Sequence, residues 1–486
     1  MPTIKKNFLY QSLYQLLILL IPLILAPYIS RVLGAEGIGI YSYTFSIVTY
    51  FIYFARLGLS NHGIRSIAAV RDDKEKLNRT FSNLFFLHLV ISLFVFAAYV
   101  VFIVFFAGEY RLYFIIHAIT VLSALFDINW LFLGLEQVKF TVTRSTAVKL
   151  SITASVFLFV KSPGDLWKYT LIMGLGVFLG HSVLWVFVKR FIAFVKPTWS
   201  GIKTHVKPML ILFVPVIALS VFNTLDKIML GAMTDKIQLG FYENSQKIIF
   251  VSVGFITAFN AIMLPRMSNL NAKDNADESR PQNEKSRLML VSMKYVMLLA
   301  FAMTFGIAAI SDRFAPWFFG GAFRECGILI RTLCLIIPFL AFQSVLSTQY
   351  LIPNKRDKMY TASTVAGAVI NIAANLILIP RFGALGAVIS TILAESLRCI
   401  IVVFAAKNHL PVGVYLKNTL FFVFAGAVMY ALVRYVGFIA NDVYGTILIQ
   451  VIVGAGFYLG ISALYLHITK DAFFRNNVVK RLLKHL

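Results

Sequence analysis

The sequence predicts an all-α polytopic membrane protein with about 14 transmembrane helices. Of its 486 residues, 59% are hydrophobic and only 14% are charged, and the mean hydropathy is +0.80. Soluble domains are about 45–50% apolar and about 25% charged. The apolar residues come in blocks of roughly 20, the length of a helix that crosses a bilayer, and a spanning block must be helical to satisfy its own backbone hydrogen bonds. A soluble multi-domain enzyme, a disordered chain and a disulfide scaffold are therefore excluded.

The apolar blocks can be placed in order along the chain. They cover 8–30, 38–58, 81–106, 112–135, 144–160, 166–188, 208–230, 242–266, 288–310, 326–350, 360–380, 384–404, 414–436 and 444–467. The block 144–160 is the least typical, since it is short and carries Lys149. The polar segments between the blocks are too short to hold a separate aqueous domain.

Two segments of the chain repeat one pattern. Residues 33–41 and 230–242 both place Leu-Gly-Ala before a turn and Gly-apolar-Tyr after it. In each copy an arginine lies 24 residues beyond the tyrosine, Arg65 after Tyr41 and Arg266 after Tyr242. The equal spacing indicates an internal duplication rather than chance similarity between apolar helices.

The duplication predicts a domain organisation. We expect an N-lobe of six spans at 1–190, a cytoplasmic linker at 191–207 and a C-lobe of six spans at 208–406. Because each lobe has an even number of spans, a pseudo-two-fold axis along the membrane normal would relate them, as in transporters that work by alternating access. Two additional spans at 407–469 and a basic amphipathic cytoplasmic tail at 470–486 complete the chain.

The formal net charge is +24, which by itself would also suit a nucleic-acid-binding protein. Lys and Arg concentrate on alternate loops, however, as the positive-inside rule expects for cytoplasmic loops. This distribution predicts that both termini are cytoplasmic. It also predicts membrane lipids as partners and no nucleic acid.

Basic side chains within or near the spans point to a site. A charged residue at the bilayer centre costs about 2.5–3.5 kcal/mol on insertion scales and usually faces a protein interior or a wet cavity. The cationic candidates come from both lobes and are Arg31, Arg56, Lys149, Lys227 and Lys247. A cleft lined by these groups would favour a phosphate or pyrophosphate, because Arg offers bidentate geometry and Lys a point charge.

Acidic residues in the spans leave an alternative open. Asp127, Asp226 and Glu395 are candidates for coupling to a proton or sodium gradient, and Asp127 and Glu395 also keep an exporter of organic cations in view. Asp127 is equally suited to hydrogen bonding across helices. Three arginines, Arg331, Arg398 and Arg434, are expected to snorkel towards water. His88 and His181 are expected to bond between helices rather than relay protons.

Signals for catalysis or cofactors are absent from the sequence. It contains no Walker A motif, dinucleotide-binding glycine loop, HExxH or GxSxG. Cys326, Cys334 and Cys399 lack metal-ligand spacing and are expected to be buried thiols. We therefore expect a transporter rather than an enzyme, with neither cofactor nor metal.

Two segments resemble a known family. Residues 30–41 (SRVLGAEGIGIY) and 57–68 (LGLSNHGIRSIA) resemble the N-terminal signature of the polysaccharide transporter family. This family comprises the Wzx-type oligosaccharide flippases of the multidrug/oligosaccharidyl-lipid/polysaccharide exporter superfamily. Arg31 and Arg65 match basic positions of the signature, which adds Arg65 to the candidate substrate-binding residues. Arg56 departs from the signature, since a neutral or acidic residue is usual there.

The resemblance implies a function. It implies transfer of undecaprenyl-pyrophosphate-linked oligosaccharide units across the bacterial plasma membrane, for capsule, O-antigen or exopolysaccharide biosynthesis. Polysaccharide polymerase and assembly proteins would then be partners. The alternatives are a drug/cation antiporter or a lipid II flippase of the same superfamily, and a membrane polysaccharide polymerase is less favoured.

Overall fold

The computed structural model describes residues 2–274, 283–439 and 443–475. The chain divides into two compact units, the first formed by residues 1–243 and the second by residues 244–486. Most of the tail predicted at 470–486 lies outside the described residues.

The first unit is a bundle of helices from the N-terminal half of the chain. Its helices are α1 (Pro2–Arg56), α2 (Leu59–Val70), α3 (Lys74–Phe106), α4 (Arg111–Ser123), α5 (Asn129–Gly134), α6 (Val138–Phe159), α7 (Leu166–Val183), α8 (Trp185–Val188), α9 (Trp199–Ser220), α10 (Asp226–Met233) and the start of α11 (Lys236–Asp274). Helix α1 packs against α3, α4 and α6, and α7 packs against α4 and α6. Helix α1 contains the first two predicted spans, separated at Gly34, whose φ of 69° interrupts the helix.

The second unit continues with long helices. They are α12 (Asn283–Phe319), α13 (Cys326–Leu333), α14 (Ile336–Leu346), α15 (Asp357–Phe382), α16 (Ala384–Ala406), α17 (Val412–Ile439), α18 (Val443–Ile468) and the short α19 (Ala472–Phe474). Helix α12 packs against α13, α14, α17 and α18, whereas α15 pairs with α16. Cys326, Cys334 and Cys399 are buried free thiols, which confirms their predicted state.

The helices are long and apolar enough to cross a membrane. Among the described residues, 11 helical segments meet this condition, and the segment Leu20–Val70 alone holds two predicted spans. Helix α6, which carries Arg144 and Lys149, is not among the 11. Large side chains such as Phe94 and Phe438 are exposed, as expected for helices with lipid around them. The predicted all-α polytopic fold is confirmed.

The duplicated segments meet at a helix crossing in the first unit. A Cβ placed on Gly39 would collide with the backbone carbonyl of Lys236, and one placed on Gly240 would collide with the carbonyl of Ala35. Gly39 therefore packs on the carbonyl of the residue four positions before Gly240. Gly240 packs in the same way on the carbonyl of the residue four positions before Gly39. The crossing is reciprocal, so corresponding residues of the two copies take equivalent places, and only glycine permits this close approach.

The connector that follows α8 is held to α3. Three side chains of α3 accept backbone N–H groups of the connector: Asn78 from Ala193 at 2.9 Å, Ser82 from Val195 at 3.2 Å and Asn83 from Thr198 at 2.9 Å. Helix α9 then starts at Trp199, before the predicted start of the seventh span at residue 208. The polar composition of 191–207 predicts a linker, and side-chain acceptors of α3 give that linker a defined path.

Candidate functional site

The fourth predicted span is interrupted where Asp127 lies. Helix α4 ends at Ser123, a 3-10 turn covers Ala124–Phe126, and Asp127 is extended, with φ −75° and ψ 103°. Four carbonyls at the break accept side-chain N–H groups: Ser123 O from His181 Nδ1 (2.9 Å), Ala124 O from His88 Nε2 (2.7 Å), Phe126 O from Trp185 Nε1 (3.0 Å) and Asp127 O from Trp130 Nε1 (3.1 Å). The break is satisfied within the protein, the condition under which irregular backbone persists inside a membrane.

The Asp127 carboxylate is buried and fully engaged. Its Oδ2 lies 2.8 Å from Arg56 Nη2. Its Oδ1 accepts from Asn129 Nδ2 at 2.6 Å and from Asn129 N at 3.1 Å. The amide oxygen of Asn129 accepts in turn from Arg144 Nη2. Asp127 is 5% exposed, whereas the Arg56 side chain is 33% exposed, so the arginine can be reached from outside the network.

His181 contacts both the helix break and the carboxylate. Because a carbonyl oxygen only accepts, Nδ1 on Ser123 O must carry the hydrogen of the neutral ring. Nε2 then has a lone pair and lies 4.0 Å from Asp127 Oδ1. A proton taken up at Nε2 would be held directly against the carboxylate. His181 is thus an interhelical hydrogen-bond donor, as predicted, with one nitrogen left to titrate.

His88 differs in this respect. Its Nε2 is 2.7 Å from Ala124 O, and its Nδ1 is 3.4 Å from the Ser92 hydroxyl. Both nitrogens of the neutral ring therefore have partners, one as donor and the other as acceptor. The predicted interhelical role of His88 is confirmed.

A second polar cluster of the first unit contains Lys227. Its Nζ lies 2.7 Å from Glu243 Oε2, which also accepts from the Ser42 hydroxyl at 2.9 Å. The neighbouring Asp226 is fully buried and accepts from the Tyr242 hydroxyl at 3.1 Å. Adjacent helical residues point to different sides, and accordingly Asp226 and Lys227 have different partners. A π-helical turn, Val221–Leu225, precedes both.

The remaining predicted cations of the first unit are exposed or half-buried. Arg31 and Arg65 are exposed, and Lys149 is half-buried on α6. In the second unit, Lys247 donates to the side-chain oxygen of Asn244 at 3.2 Å. The contacts described above thus bring Arg56 and Lys227 each to a carboxylate, but they do not join the predicted cations into one cluster.

Glu395 occupies a closed site in the second unit. Its carboxylate accepts from Arg398 Nη1 at 2.9 Å and from Gln343 Nε2 at 2.5 Å. Arg398 is 8% exposed, so the prediction that it snorkels is wrong. A carboxylate one helical turn away satisfies the guanidinium inside the protein. Arg331 and Arg434 also bind a carboxylate, that of Asp312, at 3.0 and 2.6 Å.

Sequence reasoning missed several partners of the predicted residues. These are Asn129 and Arg144 around Asp127, Glu243 beside Lys227, and Gln343 beside Glu395. Two of them had a readable signal: Asn129 lies two residues from Asp127, and Glu243 follows the repeated Tyr242 directly. Among the residues that the structure describes, no cluster of His, Cys, Asp and Glu could hold a metal ion.

Comparisons with known proteins place the chain in a family. The model of the family described as "Polysaccharide biosynthesis protein" matches residues 4–271, more than half of the chain. A relative from Shigella dysenteriae named "Putative O-antigen transporter" is 23% identical over 407 residues, which are 83% of this chain and 100% of that protein. A relative from Haloferax volcanii named "Probable low-salt glycan biosynthesis flippase Agl15" is 24% identical over 186 residues, 37% of each chain.

A solved structure has the same fold. It is described as "Lipid II flippase MurJ, inward closed conformation", and the comparison has a TM-score of 0.72 at 15% identity, covering 92% of this chain and 99% of that chain. The fold is that of a multi-pass helical membrane protein. The chain belongs to the polysaccharide biosynthesis protein family, which confirms the resemblance of residues 30–41 and 57–68. Its relatives are named as transporters or flippases, in agreement with the prediction of a transporter rather than an enzyme.

Proposed function

We propose that this protein is a flippase that moves undecaprenyl-pyrophosphate-linked oligosaccharide units across a bacterial plasma membrane by alternating access. The family match over residues 4–271 is the observation that carries the proposal. The names of the relatives, an O-antigen transporter and a glycan biosynthesis flippase, support the class of substrate. Both termini would lie in the cytoplasm, and polymerase and assembly proteins would take the product on the outer side.

The pyrophosphate would bind basic side chains. Arg56 and Lys227 are the foremost candidates, since each lies in the spanning region and holds a carboxylate at hydrogen-bond distance. A phosphate oxygen makes the same charge-assisted hydrogen bonds as a carboxylate oxygen, so the substrate can replace Asp127 or Glu243 as the partner. Arg31, Arg65, Lys149 and Lys247 would contribute further positive charge.

Proton uptake at His181 would couple substrate binding to an ion gradient. A substrate phosphate that draws Arg56 away leaves Asp127 without its cation. A proton on His181 Nε2, 4.0 Å from Asp127 Oδ1, would then compensate the carboxylate. Asp127 is therefore our first candidate for coupling, ahead of Asp226 and Glu395, whose described contacts include no histidine.

The experiment is a deletion of the gene in its own organism, complemented by variants. The deletion should abolish surface polysaccharide and accumulate lipid-linked units, and the unchanged chain should restore export. Lys227→Ala should reduce export about tenfold, as expected when a charged hydrogen-bond partner is lost. Lys189→Ala, on an exposed lysine of the connector, is the matched control and should complement fully.

Each outcome has a distinct meaning. Normal surface polymer in the deletion strain would overturn the proposed function. Full export by Lys227→Ala would remove Lys227 from the site and leave the function standing. Growth arrest with accumulated lipid II would instead assign the lipid II substrate, and sensitivity to organic cations with normal polymer would assign the antiporter alternative.

A further inference from the structure

The first turns of α9 present a tryptophan and two lysines on one side of the helix. Trp199, Lys203 and Lys207 follow one another at intervals of four residues, the spacing of neighbours on a helix surface. Trp199 is 68% exposed, both lysines are exposed, and Lys203 Nζ lies 5.4 Å from the centroid of the Trp199 ring. The exposed Phe194 and Lys196 precede them in the connector. These five residues are named the connector surface.

The positive charge of the connector surface is not balanced by carboxylates. The sequence has no acidic residue between positions 165 and 226. In the part of the chain that the structure describes, the three lysines of the connector surface form no ion pair. Carboxylates at the start of α3, the helix that holds the connector, bind basic residues of α3 itself, Asp73 to Lys76 and Glu75 to Arg79. The connector surface therefore attracts an anionic partner.

Helix α3 fixes the depth of the connector in the membrane. Asn78, Ser82 and Asn83 accept backbone N–H groups of the connector, and the apolar block of α3 begins at residue 81. Gly201 lets the first turn of α9 approach this point, because a Cβ there would collide with the side-chain amide of Asn83. The connector thus runs beside α3 where that span enters the apolar layer.

The side of α9 that carries the lysines continues as an apolar stripe. Leu210, Ile211 and Val214 are 47%, 59% and 54% exposed. At about 3.6 residues per turn they fall on the same side of the helix as Trp199. Helix α9 is one of the segments apolar enough to cross a membrane, so this exposed stripe faces lipid. The lysines stand at the end of the stripe, the position typical of interfacial tryptophan and of lysines that reach towards headgroups.

The aromatic rings favour a lipid over an acidic protein as the partner. Phe194 packs with a centroid distance of 6.3 Å on the Trp185 ring and is still 55% exposed. Rings that combine with lysines at the end of a spanning helix suit the boundary between headgroups and acyl chains, where the rings bury apolar area and the lysines meet phosphates. An acidic protein would account for the charge but not for this depth.

We propose that the connector surface lies in the headgroup layer and binds anionic phospholipids. Their phosphates contact Lys196, Lys203 and Lys207, and the rings of Phe194 and Trp199 lie at the acyl boundary. Because lysine acts as a point charge, the surface selects lipids by charge rather than by headgroup structure. The site does not depend on the proposed transport substrate, and bound lipid holds the start of α9 against the membrane.

The test measures which lipids contact Trp199 in the purified full chain. The protein is reconstituted in phosphatidylcholine vesicles that contain brominated phosphatidylglycerol or brominated phosphatidylcholine at equal mole fraction, and bromine quenches tryptophan fluorescence on contact. The Trp199 contribution is the difference between the unchanged chain and Trp199→Phe. Phosphatidylglycerol should quench it with an apparent affinity at least about fivefold higher, which corresponds to about 1 kcal/mol, the attraction of one lysine to an anionic surface.

Two changes should remove this preference. A triple variant, Lys196→Gln with Lys203→Gln and Lys207→Gln, should bring the ratio of the two affinities close to one, and its exposed positions leave the fold intact. Raising the ionic strength should lower the ratio in the unchanged chain, because salt screens exposed charges. The second measurement tests the attraction without any substitution.

The start of α7 supplies a matched control. Trp167 is 43% exposed, and Lys168 Nζ lies 5.7 Å from the centroid of its ring, much as Lys203 lies against Trp199. Lys168 already binds Asp165 at 2.6 Å. The Trp167 contribution, obtained in the same way from Trp167→Phe, should therefore show no preference for phosphatidylglycerol.

Each contrary result overturns a specific part of the proposal. Equal quenching of Trp199 by the two lipids would overturn the selection of anionic lipid. Absence of quenching by either lipid would overturn the membrane location and favour an acidic protein as the partner. The same preference at Trp167 would show that the net charge of the whole chain, not the connector surface, attracts the lipid. An unchanged ratio in the triple variant would overturn the role of the three lysines.

Discussion

Asp127 in the first unit and Glu395 in the second are both buried carboxylates that bind an arginine, yet their surroundings differ. Asp127 lies at a break between α4 and α5, and its arginine comes from the end of α1. Glu395 lies within the continuous helix α16, and its arginine is three residues away on the same helix. The first ion pair joins separate helices, whereas the second lies within a single helix.

The difference suggests two uses of the same chemistry. The Arg398 and Glu395 side chains are 10% and 6% exposed, so exchange with a ligand would require opening the protein. The Arg56 side chain is one-third exposed, and His181 offers Asp127 a second cation on protonation. A carboxylate with an accessible arginine and a titratable neighbour suits switching, and one sealed beside its own arginine suits stability.

The largest effect is expected from Glu395→Ala. The substitution leaves Arg398 buried without a carboxylate and should lower the free energy of unfolding by about 3–5 kcal/mol. Thermal unfolding in detergent measures it. The control is Glu75→Ala, which removes an exposed ion pair with Arg79 and should cost at most about 0.5 kcal/mol. Equal unfolding temperatures for the two variants would refute the stabilising role of Glu395.

Asp127→Asn should act on transport more than on stability. The amide can still accept from Asn129 but no longer neutralises Arg56, and the partial exposure of Arg56 keeps the stability loss below that of Glu395→Ala. Export should fall about tenfold or more, measured as surface polymer per unit of folded protein. Wild-type export by Asp127→Asn, or an equal loss in Glu395→Gln, would erase the distinction between the two sites.

The pH dependence of transport should depend on one histidine. Gln at position 181 can still donate to Ser123 O but cannot take up a proton, so His181→Gln should flatten the pH profile in proteoliposomes. His88→Gln is the matched control, because both nitrogens of His88 already have partners. It should lower stability and leave the profile unchanged in shape. A flattened profile in both variants, or in His88→Gln alone, would contradict the assignment of His181.

The smallest effect concerns a third carboxylate, which lies outside the spans. Asp471 accepts from Lys294 Nζ at 2.6 Å, from the Tyr295 hydroxyl at 3.1 Å and from Phe474 N at 2.9 Å. Burial tends to raise the pKa of Asp471, but these hydrogen bonds outweigh it and hold the pKa below its usual value. The carboxylate therefore stabilises the fold above the unfolded pKa of about 3.9, and the stabilisation is lost as the pH falls through the folded pKa.

Asp471→Asn should remove this loss of stability at acidic pH. At neutral pH it should cause only a slight decrease in the unfolding temperature. The measurement is the unfolding temperature between about pH 3 and pH 7, a range that brackets the unfolded pKa, compared with the unchanged chain. If the unfolding temperature of the variant still falls with decreasing pH in parallel with that of the unchanged chain, other carboxylates are responsible for the loss of stability in acid.

Much of the fold was predictable because the bilayer imposes a length on every span. The predicted blocks agree with helices such as α3, α7, α15 and α16, and the repeated Gly-apolar-Tyr pattern appears as the reciprocal crossing of Gly39 and Gly240. The break near Asp127 was not predictable, since the block 112–135 is predominantly apolar and three of the four side-chain donors at the break, His88, His181 and Trp185, lie outside that block. The start of α9 at Trp199 was missed because the largely polar residues 199–207 give no hydropathy signal for a spanning helix.

The amino-acid sequence alone specifies a multi-pass helical membrane protein with a repeated Gly-apolar-Tyr pattern and costly charges in its spans. These properties follow from local composition and spacing, which a bilayer converts directly into helices. Helix packing pairs Asp127 with Arg56 and Glu243 with Lys227, whereas Glu395 and Arg398 are three residues apart on one helix. In the first two pairs the partners lie 71 and 16 residues apart in the chain, and such contacts arise from helix packing, which local hydropathy does not encode.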